Sequence, residues 1–151
     1  MKKKLLFVCT GNTCRSPLAA AFAREALAGA GLTHWTVDSA GLAARDGSPA
    51  SDGSLHAAGD FGLDLSLHRA KPLSPLLVDS AALILTMTAA QKQVLLQALP
   101  QFADRIFSLT EYLGADGDVA DPFGGPPSLY RETAHQLRSL VTRLAEKLKE
   151  C

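Results

Sequence analysis

The chain lacks the features that mark several large classes of protein. Its three cysteines in 151 residues are too few for a disulfide scaffold. Fifteen Lys and Arg balance fifteen Asp and Glu, so the composition indicates no nucleic-acid partner and supplies no long-range field to steer a charged ligand. With 47% hydrophobic residues, the chain is also unlike a disordered tail. Any anion that it binds must therefore be held locally.

Long apolar runs are also missing. The basic start, residues 1–4, is followed by only five apolar residues, and the next apolar run, residues 81–85, is no longer. A signal peptide needs roughly 7 to 15 apolar residues and a membrane span about 20. We therefore expect a cytoplasmic protein without a membrane partner. The length fits one ordinary domain, so we expect residues 1–151 to form a single domain and the protein to be a monomer.

The cysteines are placed for chemistry rather than for cross-linking. Cys9 and Cys14 are close together in the sequence, which suits a reducing compartment where thiols stay free. Cys151 is the last residue and is interpreted as an idle thiol. The four histidines are scattered, so no spacing of ligands indicates a zinc site, and no Walker-type phosphate loop occurs. We expect no metal.

Apolar strand-like segments alternate with helical patterns along the whole chain. This alternation predicts an α/β fold, a parallel sheet with helices on its faces. The apolarity of the segments is continuous, as in strands that are buried on both sides, and we expect the two shorter segments at the edges. The four predicted strands are residues 4–8, 35–40, 81–87 and 105–109.

Helix signals separate these strands. Pro17 opens a helix directly after the first strand, and Thr88 with Gln91 forms a capping box in front of another. The clearest helix carries one apolar stripe, interpreted as core, between Leu137 and Leu148. Two stretches rich in Gly and Pro or Ser are interpreted as surface loops able to carry function, namely residues 41–55 and 114–128.

The most informative segment, CTGNTCRSP at residues 9–17, lies where the first strand turns into a helix. Such a turn aims successive backbone N–H groups into one concavity, to which the helix N-terminus adds about half a positive charge. Gly11 lets the loop curl, and the fork of Arg15 can grip two oxygens of a tetrahedral dianion. The segment therefore predicts a phosphate-binding loop.

The same groups stabilise a thiolate on Cys9, the form in which cysteine is a nucleophile. The Ser16 hydroxyl can hydrogen-bond that thiolate and support it as a leaving group when a thiophosphate intermediate is hydrolysed. Taken alone, a cysteine at a strand end is a core residue. The C-x5-R spacing with Ser after Arg instead favours a nucleophile.

These residues carry a resemblance. CTGNTCRS near the N-terminus, with Asp121-Pro122-Phe123-Gly124 far downstream, resembles the low-molecular-weight protein tyrosine phosphatase family. Two further matching segments are Ser39-Ala40-Gly41 and Leu67-His68. The likeness covers almost the whole chain, and the pairing of a loop with a distant Asp-Pro is highly specific.

The resemblance implies a flavodoxin-like three-layer sandwich with a four-stranded parallel sheet and a two-step reaction on phosphorylated proteins that needs no cofactor. Cys9 is the implied nucleophile. Arg15 and the loop amides bind phosphoryl oxygens, and Asp121 protonates the leaving group and then activates water. Without the resemblance, Asp121 is only a turn aspartate. The implied substrate-binding residues are Thr10, Gly11, Asn12, Thr13, Cys14, Ser16 and Phe123, and the implied supporting residues are Ser39 and His68.

Two roles come from family positions alone. Asn12, Ser16, Ser39 and His68 match a hydrogen-bond network that shapes the loop, although His68 by itself is a surface or cap histidine. Cys14 matches a position near the nucleophile, which implies a reversible disulfide with Cys9 on oxidation.

Thr13 departs from the tyrosine-specific pattern, which usually has Ile or Leu there, and resembles the bacterial protein-arginine phosphatase branch. A single aromatic, Phe123, follows the Asp-Pro pair, where tyrosine phosphatases usually have two. A polar rim and the Asp121 carboxylate suit a guanidinium better than a phenyl ring. We therefore predict a protein phosphatase that acts on phosphoarginine; the alternative is one that acts on phosphotyrosine, with Thr13 a tolerated substitution.

Three other functions stay open. Arsenate reductases share the fold and the loop but relay electrons through further cysteines near the third strand, and residues 81–93 contain none. A catalytically silent phosphate-binding module could dispense with the thiol of Cys9 and the acid of Asp121, yet both are present. An interaction protein that uses only the last helix has no support beyond an ordinary core stripe.

Overall fold

The computed structural model describes residues 2–150 and contains a four-stranded parallel sheet. The strands are β1 (Lys3–Cys9), β2 (Trp35–Gly41), β3 (Leu83–Thr86) and β4 (Ile106–Ser108), in the order β2-β1-β3-β4. The α/β prediction and all four strand positions are confirmed. The interpretation of Cys151 as an idle thiol concerns a residue outside the described range.

The edge prediction is right for β4 and wrong for β1. β1 lies in the middle of the sheet, pairing with β2 from Lys3↔Trp35 onward and with β3 from Leu5↔Leu83 onward. Its residues from Leu5 to Cys9 are all buried, whereas the first half of β2 is partly exposed. Burial on both faces, rather than strand length, therefore distinguishes the central strand.

Alternate residues of β1 supply two separate cores. Leu5 and Phe7 belong to the larger core, while Leu6 and Val8 belong to the smaller one on the opposite face. The larger core is covered by α1 (Arg15–Gly29), α2 (Asp52–Asp60), α5 (Leu109–Tyr112) and α6 (Pro127–Lys149). The smaller core is covered by α3 (Pro75–Ser80), α4 (Ala89–Ala98) and a 3-10 helix at Pro100–Arg105. Two helical layers around one sheet form the three-layer, flavodoxin-like sandwich.

The helix signals are confirmed with small shifts of boundary. Both hydrogen bonds of the Thr88 and Gln91 capping box form at the start of α4, and the stripe of α6 is buried. α1 begins at Arg15, two residues before Pro17, so the proline lies in the first turn, where its missing N–H leaves no bond unmade. α2 begins inside the stretch interpreted as the first loop. No helix of residues 2–150 is long and apolar enough to span a membrane.

Candidate active site

The loop formed by residues 9–16, here called the Cys9 loop, connects β1 to α1. The chain continues from α1 to β2 on one side of β1, and β3 lies on the other side. In open α/β sheets, ligands bind beside the carboxyl ends of the strands where the strand order reverses in this way. The N-terminus of the fifteen-residue helix α1 meets the loop at the same place. The fold therefore sets the Cys9 loop where an anion is bound most readily.

Cys9 is buried, with 3% of its surface exposed. Its Sγ lies 2.9 Å from Ser16 Oγ, and the Asn12 backbone N–H donates to it at 3.3 Å. The Asn12 N–H is suited to a sulfur that carries negative charge, and the Ser16 hydroxyl is close enough to donate to such a sulfur as well. The predicted proximity of the Ser16 hydroxyl to the thiol is thus present in the geometry.

Asn12 holds the loop from within. It adopts a left-handed φ of 56°, and its side chain is buried. Its Nδ2 donates to Ser16 Oγ at 2.8 Å and to Ser39 Oγ at 2.9 Å, while its Oδ1 accepts the Lys71 backbone N–H at 3.1 Å. All three bonds fix the amide in one orientation, because Oδ1 must face the backbone donor. Asn12 therefore ties the loop to β2 and to the segment before α3.

Gly41 at the end of β2 lets a second segment approach the loop. A Cβ at this position would lie only 2.6 Å from the carbonyl oxygen of Thr10. The backbone N–H groups of Leu42 and Ala43 donate to the carbonyls of Cys9 and Thr10, both at 2.9 Å. Only glycine permits this contact, which gives a physical reason for the glycine in the Ser39-Ala40-Gly41 motif.

His68 supports the loop from outside. Its Nε2 lies 2.6 Å from the carbonyl oxygen of Asn12, and because a carbonyl only accepts, Nε2 must carry the hydrogen. Burial lowers the pKa of His68, and the neighbouring charges of Arg24, Lys71 and Arg69 act in the same direction, against the opposing effect of the hydrogen bond. The lowered pKa favours the neutral ring, which still donates from Nε2.

Arg15 and Asp121 meet at the cleft although they are far apart in the sequence. Arg15 Nη2 lies 3.6 Å from Asp121 Oδ2, and Arg15 Nη1 donates to the Val119 carbonyl at 3.1 Å. The Arg15 side chain is buried, whereas 57% of the Asp121 side chain is exposed. Asp121 Oδ1 also accepts the Phe123 backbone N–H. A buried cation thus faces a solvent-accessible carboxylate.

These groups surround a cleft of about 230 Å³. Two predicted substrate-binding residues, Asn12 and Ser16, are fully buried and lie behind the lining. The predicted supporting residues Ser39 and His68 also lie outside the lining and contact Asn12. Phe123 is 76% exposed, which is unusual for a large apolar side chain. The lining residues are Cys9, Thr10, Gly11, Thr13, Cys14, Arg15, Asp121 and Phe123.

Gln91 contacts a residue of the cleft lining, whereas the sequence pattern predicts only its role in a helix cap. Its Oε1 accepts the backbone N–H groups of Met87 and Thr88, so its Nε2 must face Thr10 Oγ1, to which it donates at 3.1 Å. The Thr10 hydroxyl oxygen is thereby used as an acceptor. Its own hydrogen stays available to donate into the cleft.

Cys14 faces residues that the sequence patterns did not single out. Its Sγ donates to Ser51 Oγ at 3.3 Å and lies 3.8 Å from the Tyr130 hydroxyl. Both Cys9 and Cys14 are free thiols in the structure, so the disulfide between them stays a prediction. Ser51 and Tyr130 come from distant loop and helix positions that carry no sequence signal of this contact.

Known proteins are similar to this chain over nearly its whole length. A model of the low molecular weight phosphotyrosine protein phosphatase family matches residues 4–151. The chain is 41% identical over 99% of its length to a protein-arginine-phosphatase of Geobacillus stearothermophilus, of which it covers 98%. It is also 41% identical over 93% of its length to the low molecular weight protein-tyrosine-phosphatase PtpB of Staphylococcus haemolyticus, of which it covers 96%.

The fold matches solved structures equally well. A mutant of the YwlE arginine phosphatase with a phosphorylated active-site serine superposes with a TM-score of 0.93 at 38% identity, covering 97% of this chain and 95% of that one. Relatives described as arginine phosphatases and as tyrosine phosphatases are therefore both similar to this chain. The choice between the two substrates depends on the cleft.

Proposed function

Since the chain belongs to the low molecular weight phosphotyrosine protein phosphatase family, we propose that it hydrolyses phosphoarginine in proteins through a phosphocysteine intermediate. The observation that carries this proposal is the meeting, in one cleft, of the buried Cys9 thiol, the buried Arg15 guanidinium and the accessible Asp121 carboxylate. Its macromolecular partners are phosphorylated proteins.

In the first step the Cys9 thiolate attacks phosphorus, forming an S–P bond as the P–N bond to the arginine side chain breaks. The loop amides and Arg15 bind the phosphoryl oxygens, whose charge they neutralise in the transition state. Asp121, protonated for this step, gives its proton to the departing guanidino nitrogen. The exposure of Asp121 supports this role, because the leaving group must reach the carboxyl from solvent.

In the second step water attacks phosphorus and the S–P bond breaks. The Asp121 carboxylate takes the proton of the water, and the Cys9 thiolate leaves. Ser16 Oγ, at 2.9 Å from the sulfur, supports the thiolate as it departs. A related arginine phosphatase has been solved with a phosphorylated serine at its active site, and this phosphoseryl group is the oxygen counterpart of a phosphocysteine.

Phosphoarginine is favoured by two polar side chains that line the cleft. Thr13 lines it, Asp121 presents an accessible carboxylate to a guanidinium, and Phe123 is the one aromatic residue of the lining. A group that hydrogen-bonds its substrate rejects an analogue that leaves it unpaired. Phosphotyrosine is the second candidate, because the exposed Phe123 ring at the cleft can contact a phenyl ring.

The test measures phosphate release from a phosphoarginine peptide by the wild-type protein and by two variants that each lack one thiol. We expect Cys9→Ser to reduce turnover to the background rate, because a serine hydroxyl is a far weaker nucleophile than a thiolate. Cys151→Ser removes a thiol elsewhere in the chain and should leave turnover unchanged. Turnover that survives Cys9→Ser, or none by the wild-type protein, would contradict the proposal.

A further inference from the structure

Residues 118–120, here called the anchored segment, lead directly into Asp121 and are held along their backbone. The Val119 N–H donates to the Met87 carbonyl at 3.0 Å, and the Val119 carbonyl accepts Arg15 Nη1 at 3.1 Å. The Asp118 side chain accepts the backbone N–H of Ala89 at the start of α4, at 2.8 Å. The segment is thus fastened to the end of β3, to α4 and to the Cys9 loop.

α6 completes the attachment through two side chains. Gln136 Nε2 donates to the Asp118 carbonyl at 3.1 Å, and Gln136 Oε1 accepts the Ala120 N–H at 3.3 Å. Thr133 Oγ1 donates to the Ala120 carbonyl at 3.4 Å. The amide of Gln136 therefore bonds to one donor and to one acceptor, and this pattern fixes its orientation.

Side-chain exposure increases sharply just after Val119. Val119 and Thr133 are fully buried, whereas Asp121 and Phe123 project into solvent. The Asp121 carboxylate accepts the nearby Phe123 N–H and lies 3.6 Å from Arg15 Nη2. Because more than half of the Asp121 side chain is exposed, its position also depends on the backbone that precedes it.

We propose that Gln136 is a positioning residue. By hydrogen-bonding the backbone on both sides of Val119, it keeps Asp121 at the correct position relative to the Cys9 loop. This inference rests on the proposed function, in which Asp121 transfers a proton to the leaving group. Proton transfer requires the carboxyl to lie within hydrogen-bond reach of that group, and a misplacement of about 1 Å can cost much of the rate.

Gln136→Met removes both hydrogen bonds while keeping the length of the side chain. Asp118 and Ala120 are exposed, so water can replace the amide and the loss of stability is small. We expect kcat/KM on a phosphoarginine peptide to fall about tenfold, a part of the 100-fold or more that general acid catalysis contributes. Thr133→Val, which removes one bond to the same segment, should produce a smaller loss.

The decisive experiment is a double-mutant cycle on that peptide with Gln136→Met and Asp121→Asn. If Gln136 acts through the acid, Gln136→Met has no further effect once Asp121 has been changed. If the losses of kcat/KM from the two single substitutions multiply in the double variant, the inference is overturned. Gln97→Met, on the exposed face of α4, is the matched control and should leave kcat/KM unchanged.

Inhibition by inorganic phosphate separates this role from damage to the Cys9 loop. We expect the inhibition constant of Gln136→Met to stay within about twofold of the wild-type value, because the Cys9 loop is held by other contacts. Weakening of phosphate inhibition as large as the fall in kcat/KM would show that the loop is disturbed and would refute the inference. Failure of the proposed function is distinct: it would appear as turnover that does not depend on Cys9.

Discussion

Asp121 Oδ2 lies 3.6 Å from Arg15 Nη2, so the carboxylate and the guanidinium are paired at the cleft. A phosphoryl dianion that enters must share Arg15 with this carboxylate. Loss of the Asp121 charge should therefore favour the binding of phosphate, whereas it would remove the proton transfer proposed for Asp121.

Asp121→Asn should tighten inhibition by inorganic phosphate while it lowers turnover. Removing the negative charge frees Arg15 for the anion. Because the carboxylate is more than half exposed, the gain is that of a surface ion pair, about 0.6 kcal/mol or threefold in the inhibition constant. Steady-state inhibition measurements check this. Unchanged or weaker inhibition would show that the two side chains do not compete.

Asn12 should be more important for stability than its small size suggests. Asn12→Gly keeps the left-handed backbone but removes three hydrogen bonds and leaves buried hydroxyls with fewer partners, for a loss of about 2 to 4 kcal/mol. Asn12→Ala adds backbone strain of about 1 kcal/mol, because φ is 56°. Denaturant unfolding of both variants measures the two effects. A glycine variant as stable as the wild-type protein would contradict this account.

His68 should make the protein less stable in mild acid. Burial lowers its pKa below the ordinary 6.5, so between the two values the unfolded chain binds a proton that the folded chain does not. Stability is therefore full above about pH 6.5 and is lost as the pH falls toward the lowered pKa. We expect His68→Gln to flatten the dependence of Tm on pH in this window.

Thermal unfolding between about pH 5 and pH 7.5 measures the effect. His56→Gln, at an exposed position on α2, is the matched control and should keep the wild-type slope. If the wild-type protein and His68→Gln have parallel curves, burial of His68 does not contribute to acid sensitivity.

Thr13 is the residue whose substitution should change the choice of substrate. Its backbone carbonyl accepts the Ser51 N–H at 2.9 Å, which fixes the position from which its side chain lines the cleft. Thr13→Ile should lower kcat/KM for phosphoarginine relative to phosphotyrosine by about tenfold, or 1.4 kcal/mol. Thr13→Val keeps the shape without the hydroxyl. If the valine variant behaves as wild type, shape rather than hydrogen bonding decides.

The features that can be predicted from the sequence are those that depend on residues close together in the chain. Continuous apolar segments located all four strands, and the Thr88 and Gln91 pattern located the start of α4, because backbone pairing and capping are read within a few residues. The Cys9 loop was located for the same reason. Its order of cysteine, glycine and arginine describes one turn between a strand and a helix.

Contacts between distant segments could not be predicted in this way. Thr10 and Gln91 are 81 residues apart, and the role of Gln91 at the cleft depends on where α4 packs. The contacts of Gln136 likewise require α6 to lie beside the anchored segment. The short apolar segment of β1 predicts an edge strand, whereas its pairing on both sides follows from the topology of the sheet.

Cys9-dependent hydrolysis of phosphoarginine can be tested by measuring kcat/KM on two peptides of the same sequence, one with phosphoarginine and one with phosphotyrosine. Cys9→Ser provides the blank. We expect a preference for phosphoarginine of at least about tenfold, or 1.4 kcal/mol in transition-state binding. A preference for phosphotyrosine of the same size would contradict it.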